Sequence, residues 1–318
     1  MGDTNPTAIP AAPVYAGKES NEGKAPEAGE AGDEGRRSRS KIKDAFQSRL
    51  AHVVSHEEAT IPLAWQALNT GLVDALIYSK SQIWTGFQTG NMVQFSQNVA
   101  QYMLPGVERY PLLTLERALS VISFILGSFV GALGGRRWGD RNRSWLIASS
   151  LLQSFALFGA AGILLSRPED EAPSFTYWPG TIVLVAFSMG MQSIAAQKLV
   201  SPAFATTVAF TATLTQIASD PYLFFLTLSP IEKHRAKRQL QQSTALEDGP
   251  SSNPPPPKKP TIRTLGRDRR LLGIFALCTG AGVAEMLLQS HAGVRGGLAI
   301  AAGFKLVQSL LWLVPSGE

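Results

Sequence analysis

Asp74, Glu285 and Lys305 stand inside stretches of sequence that otherwise carry almost no charge. A charge in apolar surroundings is disfavoured unless it faces water, a polar group or an opposite charge. Glu285 and Lys305 fall in two adjacent apolar runs joined by a short turn, and antiparallel helices would set them side by side. The expected chemistry is a salt bridge locking the two helices, with proton or ion coupling as the sharper alternative. A second set of residues is polar but uncharged. The segments Thr89-Gly90-Asn91-Met92-Val93-Gln94 and Thr211-Ala212-Thr213-Leu214-Thr215-Gln216 echo each other. Their hydroxyl, amide and backbone groups are of the kind that hold a small polar solute. Asp74, Thr89, Asn91, Gln94, Thr211, Thr213 and Gln216 are therefore the candidate solute-path residues.

These residues need elements to bring them together, and apolar runs supply them. Runs at about 61–79, 112–135, 144–166, 178–196, 271–290 and 293–315 each hold roughly 19–24 residues. That is enough to cross ~30 Å of hydrocarbon at ~1.5 Å per residue. Two further stretches, 86–104 and 204–228, read as re-entrant or additional spanning segments. The first carries Gln88, Asn91, Gln94, Gln97, Asn98 and Gln101; the second is rich in Thr and broken at Asp220-Pro221. Six spans divide into two sets of three, each with a polar segment after its first span. The leading spans carry Gly71-Leu72-Val73-Asp74-Ala75 and Gly190-Met191-Gln192-Ser193-Ile194. An odd number of spans per set inverts the second copy, a plan common among transporters. Small residues at four-residue spacing, Gly127, Gly131 and Gly135 in one span and Gly293, Gly297 and Ala301 in another, predict close helix packing.

The average composition conceals this pattern. With 318 residues, 45% hydrophobic content and a mean hydropathy of +0.05, the chain looks soluble. Of the 29 Lys+Arg and 24 Asp+Glu, however, 18 lie in residues 1–60 and 14 in 231–270, leaving 21 for the other 218 residues. That is about 10%, low for a water-facing surface. Residues 1–60 read as a disordered tail with a basic flank, because they hold no apolar run whose burial could offset backbone ordering. Residues 231–270, containing Pro254–Pro257, read as a disordered basic linker. It separates the first part of the membrane domain, 61–230, from a last helix pair, 271–315. The positive-inside rule puts the N-terminal flank, the loop 136–143 and the linker on the cytoplasmic side, together with both termini. Six spans satisfy this and eight do not. The net charge of +5 is concentrated in the linker, a candidate contact for anionic lipid headgroups or a cytoplasmic protein. It does not read as a nucleic-acid footprint.

Familiar soluble chemistries are not encoded. A single Cys excludes an intrachain disulfide framework and a Cys-rich zinc module. His52 and His56 are four apart but lack the H-E-x-x-H arrangement, and no metal cluster stands out. The run Gly131-Ala132-Leu133-Gly134-Gly135 matches neither the P-loop nor the dinucleotide fingerprint. No G-x-S-x-G elbow is present. The expectation is a non-enzyme without metal or cofactor.

Four motifs in order, Gly71-Leu72-Val73-Asp74-Ala75, Thr89-Gly90-Asn91, Ala186-Phe187-Ser188-Met189-Gly190-Met191-Gln192 and Thr206-Thr207 with Thr211-Ala212-Thr213-Leu214-Thr215, make the chain resemble the YoaK-type, or DUF1275, family of membrane proteins. The resemblance covers about residues 62–315, excluding the 231–270 insert. It implies a multipass integral membrane protein of about six helices, without assigned catalytic residues or substrate. Family members tend to show a threonine-glycine pair in both polar segments. Thr211-Ala212 departs from that pattern and argues against identical backbone turns in the two halves. The long tail and insert resemble elaborations of filamentous-fungal members. The combined expectation is an all-α integral membrane protein with about six transmembrane helices, arranged as two inverted three-helix repeats plus two re-entrant or spanning segments. It would transport or channel a small polar solute across the lipid bilayer. The alternative is a non-transporting membrane scaffold acting through its basic linker.

Overall fold

Helix boundaries follow local signals. Asn142 caps one helix by accepting from the Ser144 amide at 3.0 Å. Pro111 and Pro179 occupy first-turn positions, where a missing N–H leaves no gap. Gln82, at φ 57°, ends another helix in the left-handed conformation. The computed structural model describes residues 52–55, 59–166, 176–199, 210–219 and 266–314, all within one compact unit running from 49 to 318. The described helices are α1 (Thr60–Ser81), α2 (Gln88–Gln101), α3 (Pro111–Trp138), α4 (Arg143–Leu165), α5 (Trp178–Lys198), α6 (Phe210–Ala218), α7 (Gly266–Leu288) and α8 (Gly293–Leu311). Among the described residues there is no sheet, only an isolated antiparallel bridge between Val53 and Asn142.

Among the described residues five helices, α3, α4, α5, α7 and α8, are long and apolar enough to cross a membrane. The remaining apolar run, 61–79, lies within α1. Its 22 residues reach about 33 Å, but Gln66, Asn69, Thr70 and Asp74 make it too polar to join the five. The surface is inverted relative to that of a water-soluble protein. Ile125, Phe129, Phe155 and Phe275 are exposed, whereas Gln66, Asn69, Gln153, Gln192 and Lys305 are buried. Apolar residues facing outward and amides facing inward are what lipid as solvent demands. The chain is an all-α integral multipass membrane protein.

The ends of the helices are pinned together in a way that fixes their directions. The Val54 amide donates to the Arg141 carbonyl at 2.9 Å, and the Arg143 amide donates to the His52 carbonyl at 3.2 Å. The start of α1 and the α3–α4 turn therefore share one end of the bundle. Val54, Leu63, Leu146, Ala196, Leu199 and Trp312 pack together there, adding the start of α4 and the ends of α5 and α8. Between residues 54 and 141 the chain leaves this end and returns. Helix α2, at 14 residues or about 21 Å, is too short to cross ~30 Å. It packs on α3.

Two helix crossings are closed by reciprocal glycines. At the α1–α7 crossing, a Cβ on Gly71 would stand 2.9 Å from the Leu277 carbonyl carbon, and one on Gly280 would stand 2.8 Å from that of Leu68. At the α3–α5 crossing, Gly127 and Gly190 meet the Phe187 and Phe124 carbonyls in the same way. Only glycine allows backbones so close. The predicted small-residue stripe of α3 thus does pack tightly, as does Gly297 of α8 against Leu76. Helix α4 packs on α5 and α8, and α8 on α1. The main apolar core joins α1, α4, α5, α7 and α8 through Leu72, Leu157, Ile182, Ala284 and Leu298.

Two expected boundaries move. Residues 266–270, assigned to the linker, are the first turn of α7, because Arg and Asp are compatible with a helix that continues beyond its apolar part. Residues 52–55, assigned to the tail, are tied to the α3–α4 turn. Residues 1–51 and 220–265, which hold the rest of the tail and linker, lie outside the described residues.

Candidate functional site

The buried polar side chains gather where α1, α5 and α8 meet. Gln66 and Thr70 sit one turn apart on α1, and Lys305 and Gln308 one turn apart on α8, so each pair presents one face. Lys305 is fully buried. Its Nζ donates to Gln308 Oε1 at 2.9 Å and, in a very short contact, to Gln192 Oε1 on α5. The amide orientations are set by the rest of the network. The Thr70 hydroxyl spends its hydrogen on the Gln66 carbonyl at 3.0 Å, so its oxygen accepts from Gln192 Nε2. Gln308 Nε2 donates to Gln66 Oε1 at 2.7 Å, and Gln66 Nε2 donates to the Gln192 carbonyl at 3.0 Å. Both branches run outward from the lysine and end on backbone carbonyls. As oriented, both amides present an oxygen to the Lys305 amine.

Asn69 adjoins this centre. It lies three residues after Gln66 and four after Trp65, whose Nε1 donates to the Phe304 carbonyl of α8 at 2.8 Å. Asn69 is fully buried, and neither its Oδ1 nor its Nδ2 has a hydrogen-bond partner among the described residues. On α4, Gln153 also leaves its Oε1 without a partner there, while Ser154 donates to the Ala302 carbonyl at 2.8 Å. Such orphaned atoms are uncommon in a packed interior.

The expected pairing of Glu285 with Lys305 does not occur. Glu285 is exposed and accepts from Gln289 Nε2 at 2.9 Å on its own helix face. It lies three residues before the end of α7, whereas Lys305 lies twelve residues into α8. Across the short turn that is an axial offset of about 13 Å, too large for a salt bridge.

The expected solute-path residues are divided among different tasks. Asp74 Oδ1 accepts from the Thr85 amide at 2.9 Å, the Thr85 hydroxyl at 2.7 Å and the Gly86 amide at 2.7 Å. A Cβ on Gly86 would come within 2.6 Å of Asp74 Oδ2, so glycine is needed for the chain to approach the carboxylate. Asn91 is buried; its Oδ1 accepts from the Trp84 amide at 3.2 Å and its Nδ2 donates to the Trp84 carbonyl. Gln88 and Ser120 complete the same polar cluster. Asp74 and Asn91 thus both clamp the turn between α1 and α2, at Thr85-Gly86 and at Trp84. Thr89 is exposed, and Gln94 is half-buried with its Oε1 unpartnered among the described residues. Thr213 is buried and Gln216 exposed; the Thr211 side chain lies outside the described residues. Helix α6 packs on α7 and α2 on α3, so the two polar segments are seated on different partners.

Among the described residues, no group of three or more His, Cys, Asp or Glu side chains converges to hold a metal. What the bundle offers is a hydrogen-bonding centre held by three helices inside an apolar shell, the mark of an integral membrane protein whose polar chemistry lies at bilayer depth. The chain belongs to the DUF1275 family, described as proteins of unknown function, whose model matches residues 63–311. No curated protein and no solved structure is significantly similar to it.

Proposed function

We propose that the protein is a transporter or channel for a small polar solute, and that its solute site is the α1–α5–α8 polar centre around Lys305. The observation that carries this reading is the fully buried lysine held by amide oxygens, with the orphaned Asn69 one turn of α1 away. An ionisable group at bilayer depth without a charged partner is a functional site by default. The reading also replaces the path first expected along α2 and α6, since Asp74 and Asn91 are occupied in holding a turn.

The packing supports an inverted repeat. Matching α1, α3 and α4 to α5, α7 and α8 exchanges the α1–α7 crossing with the α5–α3 crossing, and the α4–α5 contact with the α8–α1 contact. It also exchanges Gly71 with Gly190 and Gly127 with Gly280. The polar centre then lies where the two halves meet, the usual place for a substrate site in such folds. In this reading α1 crosses as a sixth span, wrapped by protein so that its polar residues are tolerated, and both termini share the cytoplasmic side.

Purified protein in liposomes, screened for influx of acetate, chloride, urea, glycerol and methylammonium, tests the reading. A solute whose flux is lost in Gln192→Leu and retained in Glu285→Gln supports it. Flux of no solute, with both proteins folded, favours a non-transporting scaffold acting through the basic linker.

A further inference from the structure

Resting on that reading, we infer that Trp312 is the gate of the polar centre, closing the path at the end of the bundle where α1 begins and α5 and α8 finish. Each helix that supplies the centre also supplies an apolar residue one turn nearer that end. Leu63 lies three residues before Gln66 on α1, Ala196 four after Gln192 on α5, and Trp312 four after Gln308 at the C-cap of α8. These three pack together with Val54, Leu146 and Leu199, and all six are at most 1% exposed. Residues three or four apart share a helix face, so this apolar plug lies across the line from the polar centre to the bundle end.

The barrier is thin on this side and thick on the other. Gln66 is six residues from the start of α1, Gln192 six from the end of α5, and Gln308 three from the end of α8, axial distances of about 5–9 Å. Toward the opposite end, Thr70, Gln192 and Lys305 stand eleven, fourteen and twelve residues from the helix limits, or about 16–21 Å. The main apolar core, with nineteen buried residues against seven in the plug, begins there at Val73, Met189 and Ala301. Trp312 is the largest fully buried side chain among the described residues, yet it stands at a helix terminus, with Leu313 and Val314 exposed beyond it. Its Nε1 donates to the Ser150 hydroxyl of α4 at 3.1 Å, which fixes the ring across the plug. Helix termini open at a lower free energy than the middle of a packed element. Withdrawing the ring uncovers Gln308, the first amide of the centre.

The test uses full-length protein carrying Thr70→Cys and Cys278→Ser, in liposomes without added solute. The rate at which a small membrane-impermeant thiosulfonate reaches the introduced thiol is measured from each face. Arg137→Cys, an exposed position near the α3–α4 turn, identifies the face on which α1 begins. Trp312→Ala should raise the rate from that face by about tenfold or more, because deleting a buried ring costs the closed packing more than the ~1.4 kcal/mol equivalent to that factor. The rate from the opposite face should not change. Ser150→Ala, which keeps the ring and removes its hydrogen-bond partner, should raise the same rate by a smaller factor. Leu298→Ala, in the main core, should leave it unchanged. Should Trp312→Ala fail to fold, Ser150→Ala against Leu298→Ala carries the test. No rise from the α1-start face in the folded variants, or an equal rise from both faces, overturns the gate; Gln192-dependent flux beside that result leaves the transport reading intact. A rise confined to the α1-start face without flux of any solute does the reverse, retaining Trp312 as the closure of the polar centre.

Discussion

Replacing Gly190 by Ala tests the helix crossing that closes the bundle. The new Cβ would stand 2.9 Å from both the Phe124 carbonyl carbon and the Ser128 nitrogen, and closer still to the Phe124 oxygen. Ordinary contacts between such atoms lie at about 3.5–4.0 Å, so α3 and α5 must part by about 1 Å. The parting stretches the hydrogen bond from the Ser128 hydroxyl to the Gly190 carbonyl, now 3.1 Å. Overpacking of this kind costs about 1–3 kcal/mol, and loss of the hydrogen bond adds about 1 kcal/mol. The matching change, Gly71→Ala, meets the Leu277 carbonyl on α7 and should cost a similar amount. Gly162→Ala is the control, because nothing lies within 4 Å of its added Cβ. There the better helix former should be neutral or stabilising by up to about 1 kcal/mol. SDS-induced unfolding in mixed micelles, followed by tryptophan fluorescence, reads all three. Gly190→Ala and Gly71→Ala should unfold at lower SDS, and Gly162→Ala at the same or higher SDS. Wild-type unfolding in both crossing variants would refute the close approach of α3 to α5 and of α1 to α7.

Other consequences can be checked separately. Asp74→Ala removes three hydrogen bonds from the α1–α2 turn and should cost about 2–4 kcal/mol; hydrogen exchange should accelerate at the Thr85 and Gly86 amides, and unchanged exchange there would contradict the clamp. Cysteines at Val53 and Asn142, in a Cys278→Ser background, should form a disulfide readily. The flanking hydrogen bonds make this a non-hydrogen-bonded antiparallel pair, with Cα atoms about 4.5 Å apart. Failure to cross-link in the membrane would mean that α1 and the α3–α4 turn do not share an end. Glu285→Gln and Lys305→Met should act independently, their effects on the unfolding midpoint adding, whereas a coupled response would restore the salt bridge.

What could be read from the sequence was largely what lipid imposes. Apolar runs of sufficient length, and charge confined to a few segments, pointed to a helical membrane protein. The glycine spacing of α3 announced a close crossing. Helix α1 was harder to classify, because protein rather than lipid surrounds it and its amides dilute the apolar signal. Lys305 stands out as an ionisable group in an apolar run, but its partners are Gln192 and Gln308 and not Glu285. Adjacency along the chain suggested Glu285, while depth along the two helices separates them. Gln66, Asn69 and Thr70 carried a readable sign, the i, i+3, i+4 spacing of one helix face. That spacing does not name a partner, because nothing in sequence connects α1 with Gln192 or Gln308, more than a hundred residues away. Asp74 is conspicuous in sequence, but its role as a clamp depends on the chain turning back at Gln82, which brings Thr85 and Gly86 to it.

Transport through the bundle requires that solute reach the polar centre between α1, α5 and α8. Thr70→Cys places a thiol of nearly the same size in that centre, and Cys278→Ser removes the single native cysteine. Reaction of this variant in liposomes with a small membrane-impermeant thiosulfonate, applied to each face in turn, measures access directly. Modification from at least one face, slowed by the transported solute, is the expected result. A thiol that is unreactive from both faces in native protein, yet reacts after denaturation, would show a sealed bundle in which the network serves only to hold the helices together.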